Sequence, residues 1–289
     1  MGTFRDSFCM AILLWQCANI RNNSPALAAT AQDIAALVVK RRRERKRFES
    51  VREAIGDNLP LAYDIQNLVN RELGGDHSRP EYAAGFKIGL TTPRMQAMCG
   101  IAEPIAGIVY AGRLHASGSV VDTAPFIRLG VESEIAVQIG AALPDADQLD
   151  TGAVLACLSQ VCAAFELVDD GDADYATLDA ASLIADNAWN AGLVLGPPLP
   201  ARDFARLSDR TGTLYKNGEL LDRGNSSDVM GDPLNVIVWL AKHLATHRAQ
   251  LQPGQWISTG SIVTTRFVEP GERYRFEVEG LEAVEVVAA

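Results

Sequence analysis

Residues 74–80, GGDHSRP, divide this chain into two textures and so limit the folds open to it. Paired glycines followed by a proline interrupt both helix and strand. Before this break, from about residue 29 to residue 73, the chain is rich in Ala, Leu, Glu, Arg and Lys. Ile34, Leu37 and Val38 recur there at helical spacing, and Leu61, Ile65, Leu68 and Val69 repeat the pattern. After the break, short β-like segments alternate with Gly- and Pro-containing turns, at 85–90, 107–110, 132–139, 164–168 and 192–195. A single strong helix is expected over 232–247, capped by Asp232 with Pro233 in its first turn and Val236, Ile237, Leu240 and Leu244 as its buried stripe. Strands are expected again at 255–259, 263–267, 274–278 and 282–287. The pattern predicts an α+β chain, with a helical N-terminal region over 1–80 and a β-rich domain over 81–289.

With 289 residues, the chain has room for one large domain, or a small domain on a larger one. Its formal net charge of −10 argues against a general nucleic-acid binder. The one basic run, Lys40 to Arg47 (KRRRERKR), has no interleaved aromatic residues and reads as a solvated, charged helix end. No apolar run reaches about 18 residues, so no membrane span is expected. Five cysteines, Cys9, Cys17, Cys99, Cys157 and Cys162, are odd in number and lack CxxC spacing. Reduced thiols and a cytoplasmic location follow as the plain reading. Cys157 and Cys162 sit in an apolar run and read as core. Residues 8–15 resemble a short secretory h-region, but Asp6, Gln16 and Asn19 interrupt the pattern. Met10 is an alternative start, and whether residues 1–28 belong to the mature chain stays open.

The most informative stretch is VESEIAVQIG, 131–140. On a strand, side chains two apart share a face, so Glu132 and Glu134 project side by side. Two carboxylates on one face repel unless a cation lies between them, and hard divalent cations take oxygen ligands. A second acidic strand, AFELVDD, offers Glu166 as a third carboxylate, with Asp169 or Asp170 beyond it. The competing reading is a solvated acidic sheet face. Lys87, in GFKIGLT, lies among glycines and apolar residues, where a backbone approaches a ligand closely. Its alternative is an edge lysine that blunts a sheet margin.

Six segments in this order resemble a known family: GFKIGLTTPRMQ (85–96), VESEIAVQIG (131–140), FELVDD (165–170), IADNAWNAGLVLG (184–196), GDPLNVIVWLAKHLA (231–245) and the C-terminal STGSI with VEPGERYRFEVEGLEAVEV. They are similar to the 2-keto-4-pentenoate hydratase and 4-oxalocrotonate decarboxylase group of the fumarylacetoacetate hydrolase superfamily, over about residues 61–287. The resemblance implies a mixed β-roll and a divalent metal, Mg²⁺ or Mn²⁺, held by Glu132, Glu134 and Glu166. It implies an active-site lysine at Lys87 and a turn at Thr259 and Gly260 that helps to hold the substrate carboxylate. The implied chemistry is lyase chemistry on a small unsaturated 2-oxo or 2-hydroxy-dienoic acid, of the kind met in aromatic catabolism, through a metal-stabilised enolate. The expected activity is hydration. Decarboxylation of the 4-oxalocrotonate type, acylpyruvate-type C–C hydrolysis and a non-catalytic partner subunit are the alternatives. Homo-oligomers, or association with a homologous partner subunit, are implied by the resemblance alone.

Three departures bear on substrate. Gly112 and Arg113 stand where the group carries an acidic residue. Trp189 stands where a serine is usual, and is expected to reshape the substrate-binding pocket. VDDGD replaces VDSR after the third carboxylate. Superfamily hydrolases activate water with a His–Glu pair on a loop, and His77 with Glu81 is the candidate lid pair; an exposed loop histidine is the alternative. His243 and His247, one helical turn apart, lack a third ligand and read as helix-surface residues near a C-terminus.

Overall fold

The computed structural model describes residues 30–74 and 82–289. Three helices come first: α1 (Ala31–Arg43), α2 (Arg52–Ile55) and α3 (Leu59–Gly74). Thr30 opens α1 with a capping box, its hydroxyl accepting from the Asp33 amide while the Asp33 carboxylate accepts from the Thr30 amide. The strands are β1 (Ala83–Gly89), β2 (Ile105–Tyr110), β3 (Leu114–Ala116), β4 (Ser119–Val121), β5 (Leu129–Ile139), β6 (Leu158–Asp169), β7 (Asn190–Leu195), β8 (Leu199–Pro200), β9 (Thr211–Lys216), β10 (Glu219–Asn225), β11 (Trp256–Ser258), β12 (Arg266–Phe267), β13 (Arg273–Val278) and β14 (Val284–Ala288). Four more helices, α4 (Pro93–Met98), α5 (Thr151–Cys157), α6 (Ala180–Ala185) and α7 (Pro233–Thr246), connect and cover them.

A mixed sheet of nine strands runs in the order β2-β1-β11-β5-β6-β7-β3, with β12 also on β5 and β8 also on β6. A second sheet runs β10-β9-β13-β14-β4. The helical N-terminal part followed by a curled mixed sheet is the α+β arrangement expected. The main core lies where the two sheets face each other and α7 covers them. Ile135 of β5, Phe165 and Leu167 of β6 and Phe276 of β13 meet there, with the two phenylalanine rings 6.2 Å apart. Because a strand alternates faces, the residues between these, Glu134 and Glu166, point to the other side of the large sheet. That side is also covered. A second core joins α1, α3 and α6, through Ile34, Val38, Ile65, Val69 and Ile184, to Ile105 at the start of β2.

The free edge of β2 is closed by side chains. Tyr63 and Gln66 of α3 take the Ala106 amide and carbonyl, and the Asn187 amide exchanges two hydrogen bonds with Ile108 at 2.8 and 2.9 Å. The basic run is a largely exposed helix end, as expected, but several of its side chains also meet partners. Arg42 ion-pairs with Asp186 and donates to its carbonyl. Arg45 and Arg47 donate to the carbonyls of Phe126 and Asp172. Of these three, only Arg47 meets the acidic segment that follows β6; Asp186 stands at the end of α6 and Phe126 ahead of β5. Residues 263–265 also lie outside the expected strand, and Cys157 is half-buried whereas Cys162 is fully buried.

Candidate metal centre

Register alone assembles the site. On β5 and β6, Glu132 pairs with Glu166 and Glu134 with Ala164. Two residues on from Glu134, Ala136 pairs with Ser258 of β11, and Ser258 pairs with Lys87 of β1. Paired residues share a face, so Glu132, Glu134, Glu166, Ser258 and Lys87 all project to the same side of four adjacent strands. Small neighbours leave room for them. A Cβ on Gly107, opposite Lys87, would meet the Asn187 carbonyl at 2.6 Å and the lysine Cγ at 3.2 Å.

One oxygen from each of Glu132, Glu134 and Glu166 lies within 4.8 Å of the other two. Each carboxylate is held from behind. Thr265 donates to Glu132 Oε1 at 2.6 Å. The Ser258 hydroxyl and the Gly260 amide donate to Glu134 Oε2 at 2.5 and 2.7 Å. Asn190 and Lys87 both reach Glu166 Oε1 at 3.1 Å. Glu134 Oε1 and Glu166 Oε2 remain buried without a hydrogen-bond partner. A buried carboxylate oxygen with no donor costs the protein its desolvation, so two of them converging mark a place for a cation.

The electrostatics agree. Three carboxylates face one ammonium, which leaves an excess of two negative charges. Burial, reinforced by Glu166 and Glu132, pushes the Glu134 carboxyl well above its ordinary range. Burial also lifts Glu166 to about 7, although Lys87 pulls the other way. Burial works against the charge on Lys87, yet Glu166, Glu132 and Glu134 together hold its pKa above the ordinary lysine value. A divalent cation supplies the missing charge, and an all-oxygen donor set suits hard ions of the Mg²⁺, Mn²⁺ and Ca²⁺ class.

The other expected residues divide. Gly260 lies against Glu134. Its φ of 114° and the close approach of Thr91 leave no space for a side chain. Thr259 spends both its amide and its hydroxyl on the Ile135 carbonyl, so this turn clasps β5 beside Glu134. Trp189 is buried with its ring against Phe48 and Tyr175, and its indole nitrogen has no partner. It is the last of three consecutive left-handed residues, Asn187, Ala188 and Trp189. That turn sends Asn187 to β2 and Asn190 to Glu166. Gly112 sits in a turn where a Cβ would meet nothing within 4 Å. His77 and Glu81 lie outside the described residues. His243 is not simply on the helix surface. It is packed between Trp239 and Tyr63, and burial, then His247, lowers its pKa to about 4. Sequence reasoning missed Asn190, Ser258 and Thr265. Their only signal is a polar residue set in or beside an apolar strand.

Comparison with known proteins agrees with this architecture. The family described as fumarylacetoacetate (FAA) hydrolase, C-terminal, matches residues 102–287. A 2-keto-4-pentenoate hydratase of Burkholderia vietnamiensis is 32% identical over 232 residues, covering 79% of this chain and 86% of that protein. A 4-oxalocrotonate decarboxylase of Pseudomonas putida is 30% identical over 223 residues, covering 77% and 83%. Among solved structures, 4-oxalocrotonate decarboxylase from Pseudomonas putida G7, complexed with magnesium and adipate, superposes with a TM-score of 0.81 at 26% identity, covering 90% of this chain and 97% of that one. A family match over most of the chain and relatives at this identity place it plainly: the chain belongs to the fumarylacetoacetate hydrolase family.

Proposed function

We propose that this protein is a divalent-metal-dependent lyase that hydrates a small unsaturated 2-oxo acid in its 2-hydroxy-dienoic form. The observation that carries the reading is the convergence of three supported carboxylates, two with orphaned buried oxygens, on the face that also holds Lys87. Relatives named as hydratases at about this identity support the reaction class. Glu132, Glu134 and Glu166 would hold the cation, with Mg²⁺ or Mn²⁺ as our reading of its identity. When bound, it supplies Lewis acidity toward the oxygens of a 2-oxo acid. The rest falls to the chain's own groups. Lys87 keeps its proton at Nζ and presents it, with its charge, beside the substrate's C2 oxygen. Glu166 and Asn190 fix the position of that ammonium. Gly260 and Thr259 border the place for the substrate carboxylate, and Trp189 shapes the wall behind Asn190. His77 with Glu81 is our candidate lid pair.

A second reading, decarboxylation of a 4-oxalocrotonate-type acid, is favoured by one observation, the TM-score of 0.81 to a decarboxylase. The two are separated by product mass. The purified chain is incubated with Mg²⁺ and 2-hydroxypenta-2,4-dienoate, then with the 4-oxalocrotonate analogue, each with and without chelator. A chelator-sensitive gain of one water, lost in Lys87→Met, is the expected result. Loss of CO₂ from the analogue moves the assignment to decarboxylase. No mass change in either sinks both.

A small-molecule substrate and no nucleic-acid partner complete the reading. Among the described residues, no helix is long and apolar enough to cross a membrane. We read the enzyme as a cytoplasmic homo-oligomer, supported by the free thiols of Cys99, Cys157 and Cys162 and by the family resemblance.

A further inference from the structure

A cleft of 660 Å³ opens between α3, the C-terminal end of α7 and strands β1 and β2. Phe86 lines it. Because Phe86 is the neighbour of Lys87 on β1, the cleft lies on the opposite face of the sheet from the carboxylates. Phe86 supplies its apolar wall; Tyr63 and His243 line it as well, but these two rings pack on each other at 4.5 Å and His243 is stacked on Trp239 at 5.1 Å and 14° on its other side. The Tyr63 hydroxyl accepts from the Ala106 amide, so that ring is fixed before any ligand arrives.

The charge of the cleft is opposite to that of the chain. The protein carries 36 acidic residues, yet among the described residues no carboxylate lines the cleft, and its one fixed charge is Arg248. Arg248 follows α7 at φ 57°, a left-handed position that ordinarily takes glycine. A long side chain is therefore kept at a strained site, at the mouth of a cleft. Among the described residues, no ion pair or side-chain hydrogen bond occupies its guanidinium. The Phe86 ring inside and an uncommitted guanidinium on the lining match a planar ring that bears a carboxylate.

We propose that this cleft is a second binding site, separate from the metal centre, for an aromatic carboxylate whose ring lies against Phe86 and whose carboxylate meets Arg248.

The test uses the full chain, stripped of metal with chelator so that no cation is left to draw a carboxylate to the glutamates. Benzoate is titrated in by calorimetry. The expected result is one saturable site, weakened about tenfold or more in Arg248→Gln, the loss of a charge-assisted contact. Ala249→Trp, which adds a large side chain at an exposed position on the cleft lining, should weaken binding, and Lys87→Met should leave it unchanged. Both cleft variants should keep the unmodified protein's melting temperature and turnover, which shows that they fold. No saturable binding overturns the proposal. So does binding indifferent to both cleft variants, or binding lost in Lys87→Met, which places benzoate in the catalytic site.

Discussion

Glu132 on β5 and Glu166 on β6 stand directly opposite one another in the antiparallel ladder, carboxylate beside carboxylate. Like charges at such a pair destabilise a sheet by up to about 1 kcal/mol, more when buried. The arrangement is therefore a cost in the metal-free protein that a cation offsets. Glu132→Gln removes the repulsion and keeps an oxygen for Thr265. It should raise the melting temperature of the metal-free protein by about 1–3 °C, while cancelling most of the stabilisation that added Mn²⁺ gives and abolishing metal-dependent turnover. Paired thermal melts with and without metal check it. A variant that melts lower without metal and still gains stability from Mn²⁺ would contradict the site.

Acidity gives a second handle. Glu166 titrates at about 7 in the fold against 4.5 as an ordinary glutamate. The folded, metal-free protein thus holds this proton longer than the unfolded chain. Its contribution to stability is fully present below pH 4.5 and is lost as pH rises through 7. His243 works in the opposite sense. Its pKa is lowered from 6.5 to about 4, so its contribution is present above pH 6.5 and lost as pH falls toward 4. The two windows overlap, and melting alone blends them. Metal binding separates the site's carboxylates from His243, because a cation must displace the protons held by Glu166 and by Glu134, whose carboxyl is likewise raised. Affinity for Mn²⁺ should rise across pH 4.5–7, with proton release near pH 6 visible as a calorimetric enthalpy that changes with buffer. An affinity flat across that range is the contrary result.

Ser258 and Asn190 test whether the supports matter as much as the ligands. Each fixes one oxygen of a glutamate and leaves its second oxygen free for a cation. Partners of this kind are worth roughly 10–100-fold in metal affinity. Ser258→Ala should weaken Mn²⁺ binding toward the lower end, because the Gly260 amide still holds Glu134. Asn190→Ala should reach the upper end, because Lys87 is then the sole support of Glu166. Turnover at saturating metal should recover largely in Ser258→Ala and less in Asn190→Ala. Unchanged affinity in both would mean the carboxylates are held by the sheet alone.

How much of this was legible in the sequence follows from the range of each signal. Periodicity is local, so the α7 stripe from Val236 to Leu244 and the alternation around Glu132 and Glu134 could be read directly. That β6 lies beside β5 in the register that sets Glu166 against Glu132 is not local: the acidic strand offered Glu166, Asp169 and Asp170 alike, and the resemblance singled out Glu166. The β9–β10 hairpin carries a strong turn signal in Asn217-Gly218, both at positive φ. It is easily passed over because β10, an edge strand with Leu220 and Leu221 exposed, has no buried alternation to mark it. The basic run was read rightly as an exposed helix end, but the partners it makes were hidden for the same reason. Its partners Asp172 and Asp186 lie more than a hundred residues away. A polar residue that supports a ligand, such as Ser258, looks in sequence like any serine at a strand end.

Asn187 exposes the last dependence, between a strained turn and the sheet. Its side chain donates to the Ile108 carbonyl, accepts from the Ile108 amide and accepts from Asn70 at 3.1 Å. All of these groups are buried, so Asn187→Ala leaves two backbone groups of β2 unsatisfied. It also removes what holds three successive residues in the left-handed region, a conformation that costs about 1 kcal/mol or more per non-glycine residue. The turn should relax, and Asn190 should withdraw from Glu166 with it. We expect a loss of about 2–4 kcal/mol in unfolding free energy by denaturant titration, together with weaker Mn²⁺ binding. Asn187→Asp keeps the acceptor and the turn preference but loses the donor to Ile108, and should fall between the two proteins in both measurements. If Asn187→Ala loses stability while its metal affinity stays that of the unmodified protein, the turn supports β2 alone and Asn190 is positioned by β7.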